Sequence, residues 1–281
     1  MNALYLTWSV FSLLTGLVLG SFANVAISRW AVDQSVIHPR SHCPYCGTTL
    51  TARDLVPVLS WLALRGRCRT CESPIPANHP LIELLGGMLG LLVFWRIVPG
   101  PSYVDLPHLA AWGFVYVFVL LLLIAAFVDL RHWLIPDQTS IYAIPFGFAA
   151  SGVLTALGYT GWMYVDPASS VAGALVGAGT LATASLVARF VRGQESLGWG
   201  DVKLMGFIGA FVGPLPVLFI VLMLGSFVGA VFGLGHLAIT RRGGMLPFGP
   251  SLVIAAIAHV LYGDVLARAL VPGIAVSLGW M

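Results

Sequence analysis

The chain has 281 residues, 58% of them hydrophobic and 9% charged, where a soluble domain carries about 25% charged side chains. That composition excludes a soluble enzyme with a polar skin, and a net charge of +3 excludes a nucleic-acid-coating protein. Four cysteines are too few for a disulfide scaffold, which leaves a polytopic membrane protein with small polar loops.

A membrane helix needs about 20 mostly apolar residues. In chain order such stretches run over 4–28, 80–98, 108–128, 138–160, 168–188, 202–239 and 251–271. As one helix, 202–239 would reach about 57 Å at 1.5 Å per residue, longer than any bilayer is thick. Gly213-Pro214-Leu215-Pro216 interrupts it, so it reads as two limbs. The expectation is an all-α polytopic membrane protein with about eight transmembrane helices: a first span over 1–28, a loop over 29–79 and a helical membrane body over 80–281.

Arginine placement sets the expected orientation. The 29–79 loop carries Arg29, Arg40, Arg53, Arg65, Arg67 and Arg69; later short loops carry Arg131, then Arg189, Arg192 and Lys203, then Arg241 and Arg242. With eight spans all of these share one face, and only Arg96 and Arg268 fall near the other. This predicts a cytoplasmic loop and both termini outside. The first span is not expected to be a signal peptide, because nothing basic precedes it and its positive charge follows at Arg29.

All four cysteines lie in that loop, as Cys43-Pro44-Tyr45-Cys46 and Cys68-Arg69-Thr70-Cys71. Paired C-x-x-C hooks at this separation are the sequence form of a tetrahedral four-cysteine zinc knuckle, which folds a loop too small to bury its own core. The alternative is redox-active or free thiols. Four thiolates close the coordination shell, so the zinc is expected to be structural and cleavage chemistry has to lie elsewhere. His38, His42 and His79 are surplus to such a site. The surrounding arginines either meet anionic membrane lipid or act only as topology signals.

Charges within membrane spans are costly and therefore functional suspects. Asp129 ends the third span, and Asp201 opens the sixth in Gly198-Trp199-Gly200-Asp201. The limb from Asp201 to Gly213 offers some 18 Å of helix against about 30 Å of hydrocarbon. If that limb crosses, either the bilayer thins or Asp201 lies below the headgroups, in a water-filled cavity or beside a partner. Two aspartates sharing one proton can run aspartic proteolysis; the alternative is a pair of helix-end charges. Their places at a helix start and a helix end favour Asp201 as base and Asp129 as acid. Asp33, Asp54, Asp105, Asp166 and Asp264 read as solvated loop charges. Glu83 reads either as a partner for the zinc loop or as a helix N-terminal acid. Lys203 lies about 200° round a helix from Asp201 and is expected to snorkel to headgroups. His236 and His259 read as packed core.

Assembled, these residues resemble the bacterial type IV prepilin peptidases, the bifunctional leader peptidases and N-methyltransferases. The resemblance rests on Gly20-Ser21-Phe22-Ala23-Asn24-Val25, Pro39 to Gly47, Val56 to Trp61, Arg65 to Cys68 and Pro80-Leu81-Ile82-Glu83 in the first half. In the second it rests on Asp129-Leu130, Ile135-Pro136-Asp137, Glu195 to Leu204 and Pro247-Phe248-Gly249-Pro250. It implies that Asp129 and Asp201 are the catalytic pair of a GxGD intramembrane aspartic protease. It implies a bacterial inner-membrane enzyme that cleaves prepilin or pseudopilin leaders at the cytoplasmic face. It further implies N-methylation of the new amino terminus from S-adenosylmethionine, with the cysteine loop implicated. Glu72, where glycine is expected, and Asn78-His79, where Arg-Tyr is more usual, depart from the family pattern. The rival readings are a proton-coupled transporter using the same acids, for which no internal repeat speaks, and a non-catalytic zinc-bearing assembly factor.

Overall fold

The computed structural model describes residues 2–193, 198–240, 247–270 and 272. Glu195, Ser196 and Leu197 of the Asp201 motif, Arg241 and Arg242 of the charge count, and residue 271 lie outside the described residues. The described chain is helical: α1 (Ala3–Trp30), α2 (Leu59–Ala63), α3 (Asn78–Ile97), α4 (Leu106–His132), α5 (Ile144–Ala156), α6 (Pro167–Arg192), α7 (Trp199–Val212), α8 (Pro214–Thr240) and α9 (Gly249–Leu270). Seven segments are long and apolar enough to cross a membrane: α1, α3, α4, Asp137–Ala156 containing α5, most of α6, α8 and α9.

The remaining expected span, the sixth, is α7. It exists as a helix and ends at the predicted break, where Gly213 takes φ 84°. Its 14 residues reach about 21 Å, against about 30 Å of hydrocarbon.

Contacts divide the chain into Met1–Asp105 and Leu106–Met281. The division follows from α3 packing along α1, which groups residues 80–105 with the loop rather than with the later helices. Glycines permit that packing. A methyl group on Gly16 would come within 2.5 Å of the Gly86 carbonyl oxygen, and one on Gly20 within 2.8 Å of the Glu83 Cα. Small residues at such a seam let two backbones touch where lipid offers no hydrophobic drive. Polar ties fasten both ends: Tyr5 donates to the Val98 carbonyl at 2.9 Å and Asn24 Nδ2 to the His79 carbonyl at 3.0 Å.

In the second unit α4 is the most buried span, with Phe118 stacked on Phe211 of α7 at 4.4 Å and edge-on to Phe207 at 5.2 Å. Helix α6 lies against α7 so closely that Gly173 faces the Gly209 carbonyl, and Gly177 the Met205 carbonyl, with no room for a side chain. Asp166 caps α6 by accepting from the amides of Ala168 and Ser169. The short α7 is thus held by protein on several sides, and its whole length from Asp201 to Val212 except Lys203 is buried.

Candidate functional sites

The cysteine loop is built from two copies of one turn. In the first hook the Gly47 amide donates to the Cys43 carbonyl and the Cys43 amide to the Thr48 carbonyl. In the second the Glu72 amide donates to Cys68 and the Cys68 amide to Ser73. A short bridge closes each turn, His42 with Thr49 and Arg67 with Pro74. The four sulfurs lie within 4.8 Å of one another, with Cys43 Sγ and Cys71 Sγ 3.8 Å apart. Four thiolates about 2.3 Å from one ion would sit about 3.8 Å from each other, so the donor set fits a tetrahedral metal.

The first hook also favours the ligating form of its leading thiol. The backbone amides of Cys46 and Tyr45 point at Cys43 and lower its thiol to about 6, well below the ordinary 9.0. Arg69 anchors the outer turn by pairing with Asp54 at 2.8 Å, and Thr51 donates its hydroxyl to the same carboxylate at 2.6 Å. Together these hold Asp54 at about 2. The histidines stay outside the cluster, as expected; His42 Nδ1 instead meets the Arg40 carbonyl at 2.9 Å.

Glu83 belongs to the loop after all. Its carboxylate accepts the Val58 amide at 2.7 Å, which decides between the two readings the sequence left open.

The acids of the second unit form the other candidate site. Asp129 is in the last turn of α4 and 6% exposed; Asp201 is in the first turn of α7 and 8% exposed. Each receives a backbone amide, Gly249 for Asp129 and Gly198 for Asp201, and the two carboxylates lie within electrostatic reach of each other. Ile135 is wedged beside Gly200, which precedes Asp201, and Gly249, which faces Asp129. A Cβ on Gly200 would come within 3.1 Å of Ile135 Cβ; one on Gly249 would come within 3.0 Å of Ile135 Cδ1 and 2.5 Å of Asp129 Oδ2. A side chain at 249 would therefore displace the Asp129 carboxylate, and one at 200 would need Ile135 to give by a few tenths of an ångström. The turn bearing Ile135 is fixed by Thr139 and Ser140, whose hydroxyls both donate to the Pro136 carbonyl.

Three readings of the sequence change here. Lys203 does point away from Asp201, but toward Asp137, pairing with it at 2.7 Å instead of snorkelling. His236 is exposed on α8, whereas His259 is packed core beside Trp162. The start of α9 at Gly249 also places a helix N-terminus against Asp129, so the helix dipole no longer separates the two carboxylates into base and acid. The sequence offered Pro247-Phe248-Gly249-Pro250 and Ile135-Pro136-Asp137 only as motifs, without saying what they touch.

Residues 14–97 match the model of the bacterial peptidase A24 N-terminal domain, and residues 116–234 that of the type IV leader peptidase family. A prepilin leader peptidase/N-methyltransferase of Aeromonas hydrophila is 35% identical over 295 residues, which cover 94% of each chain. The chain belongs to the type IV prepilin leader peptidase/N-methyltransferase family.

Other members are similar over most of their length. The type 4 prepilin-like proteins leader peptide-processing enzyme of Escherichia coli is 33% identical over 273 residues, covering 89% of this chain and 93% of that one. A prepilin leader peptidase/N-methyltransferase of Myxococcus xanthus is 38% identical over 237 residues, covering 84% of this chain and 65% of its own. No solved structure matches. The cysteine cluster falls within the first family match and both aspartates within the second. The family's methyl donor has no comparable frame. One concavity of about 580 Å³ is lined by Leu175, Val176, Gly179, Thr180, Thr183 and Ala184. It presents neither a carboxylate nor an amide side chain to a nucleoside or an amino acid. This concavity therefore shows no fit to S-adenosylmethionine.

Proposed function

We propose that this member of the prepilin peptidase family cleaves the leader of type IV prepilins or pseudopilins with Asp129 and Asp201 as its catalytic pair. The observation that carries the reading is a pair of buried carboxylates at helix ends, each accepting from a backbone amide and within electrostatic reach of each other. Two carboxylates that share one site hold one proton between them. The ionised one takes a proton from water, and the water oxygen attacks the scissile carbonyl carbon. The protonated one gives its proton to the carbonyl oxygen. Collapse of the tetrahedral adduct expels the amine, which leaves with the proton first taken from water. Which aspartate begins as the base belongs to the pair and not to either residue alone.

N-methylation of the new amino terminus from S-adenosylmethionine is the second proposed activity, and zinc the proposed metal of the Cys43, Cys46, Cys68 and Cys71 cluster. The six arginines of the 29–79 loop support a cytoplasmic placement in a bacterial inner membrane, with the N-terminus outside. The C-terminus falls outside as well if α7 and α8 together cross and return.

Purified protein in bilayers, incubated with a prepilin with and without S-adenosylmethionine, tests both activities by product mass. Asp129→Asn and Asp201→Asn should each abolish cleavage while the chain still inserts and keeps its metal. Near-normal cleavage by either variant would sink the catalytic pair. Asp105→Asn and Asp166→Asn should cleave normally.

A further inference from the structure

The metal loop leaves one apolar face uncovered. At 100° per residue, Leu59, Leu62 and Ala63 of α2 share a side and Trp61 lies opposite. Trp61 is the side that meets protein. Its indole donates to the Ile75 carbonyl at 3.0 Å, and its ring lies so close to Gly66 that a Cβ there would approach to 2.9 Å. Leu59 and Leu62, by contrast, are 64% and 57% exposed, and Leu55 and Val56 just before them are exposed as well.

A separate contact fixes the level of this face. The Val58 amide is bonded to Glu83, which lies five residues past the start of α3, about 7.5 Å along its axis. The loop therefore reaches down beside a membrane helix instead of standing off it. Val58 holds φ 62° to make this contact, a conformation that β-branched residues avoid. On α3 itself, Leu81, Leu84 and Met88 are exposed, as residues facing lipid are. Arg53, Arg65 and Arg67 flank α2 and are all exposed.

We propose that α2 is an interfacial anchor. Leu59 and Leu62, with Leu55 and Val56, enter the boundary between headgroups and acyl chains, and the three arginines meet anionic lipid phosphates. An apolar face level with the first turns of a membrane helix and rimmed by arginine has the chemistry of that boundary. Glu83 acts as the positioning residue that sets the depth. The metal knuckle is thereby held flat on the bilayer.

The test uses the full chain in bilayers containing phosphatidylglycerol, with an environment-sensitive fluorescent amino acid encoded at position 62, so that no new thiol competes for the metal. Lipids brominated on their acyl chains should quench this probe, and aqueous acrylamide should not. The same probe at Tyr45, 71% exposed beside the first hook, should show the reverse. Quenching at position 62 by acrylamide alone overturns the proposal. Protection from both quenchers also overturns it, because protein then covers the face. Replacing phosphatidylglycerol with phosphatidylcholine should weaken the bromolipid quenching; no change removes the arginines from the proposal. Glu83→Ala should move position 62 toward the acrylamide pattern with the metal content unchanged, and an unaltered pattern refutes the role of Glu83. None of these readouts depends on peptidase activity.

Discussion

Glu72 and Gly47 stand four residues after the first cysteine of their hooks, in equivalent turns, with φ of 57° and 70°. A left-handed backbone costs a residue with a Cβ roughly 1–2 kcal/mol, and glycine returns about 0.5–1 kcal/mol of that through its freer unfolded chain. Glu72→Gly should thus stabilise the metal loop by roughly 0.5–1 kcal/mol, seen as slower metal loss to a chelator. This strain was legible in the sequence, since aligning the hooks sets Glu72 against Gly47. The demand on Gly249 was not, because it arises where residues 129, 135 and 249 meet. Gly249→Ala should drive a methyl group into Asp129 Oδ2 and Ile135 Cδ1. Cleavage should fall by about two orders of magnitude, the scale of a misplaced reacting group, with insertion and metal content intact. Product mass against time measures it.

Among the elements, α7 is tied by the Lys203–Asp137 pair to the turn carrying Ile135. Both side chains are partly solvated, so the pair adds at most about 1 kcal/mol of stability. Its greater effect is on spacing, since the turn it restrains packs against Gly200 and Gly249, the backbone beside Asp201 and Asp129. Lys203→Met and Asp137→Asn should each lower kcat about tenfold or more and leave KM for a prepilin nearly unchanged. The exchange Lys203→Asp with Asp137→Lys should recover part of the loss. Equal falls in kcat for the exchange and for the single variants would remove this role. The spans were legible because apolar length is written directly in composition. The partner of Lys203 was not, because helical angle places residues within one helix and is silent about a turn arriving from another. The length of α7 was legible too, because Gly213 and Pro214 mark its end.

At the scale of the whole molecule, metal and acids occupy different units, as they occupy different family matches. Purified protein should carry about one zinc per chain. Cys43→Ser should lose it and impair methyl transfer more than leader cleavage, measured side by side as product mass and bound metal. Equal loss of both activities would contradict this separation. The metal hooks and the aspartates were readable from spacing alone. The grouping of α3 with α1 was not, because it depends on which glycine faces which, Gly16 with Gly86 and Gly20 with Glu83.

That glycine seam also has a history during synthesis. Helix α1 leaves the ribosome well before α3 exists, so its close-packing face waits, unmatched, while the loop between them is made. Closing the two cysteine hooks on one ion shortens the tether and raises the local concentration of the second helix around the first. Metal binding by the hooks would then favour the pairing of α1 with α3 as the chain is made.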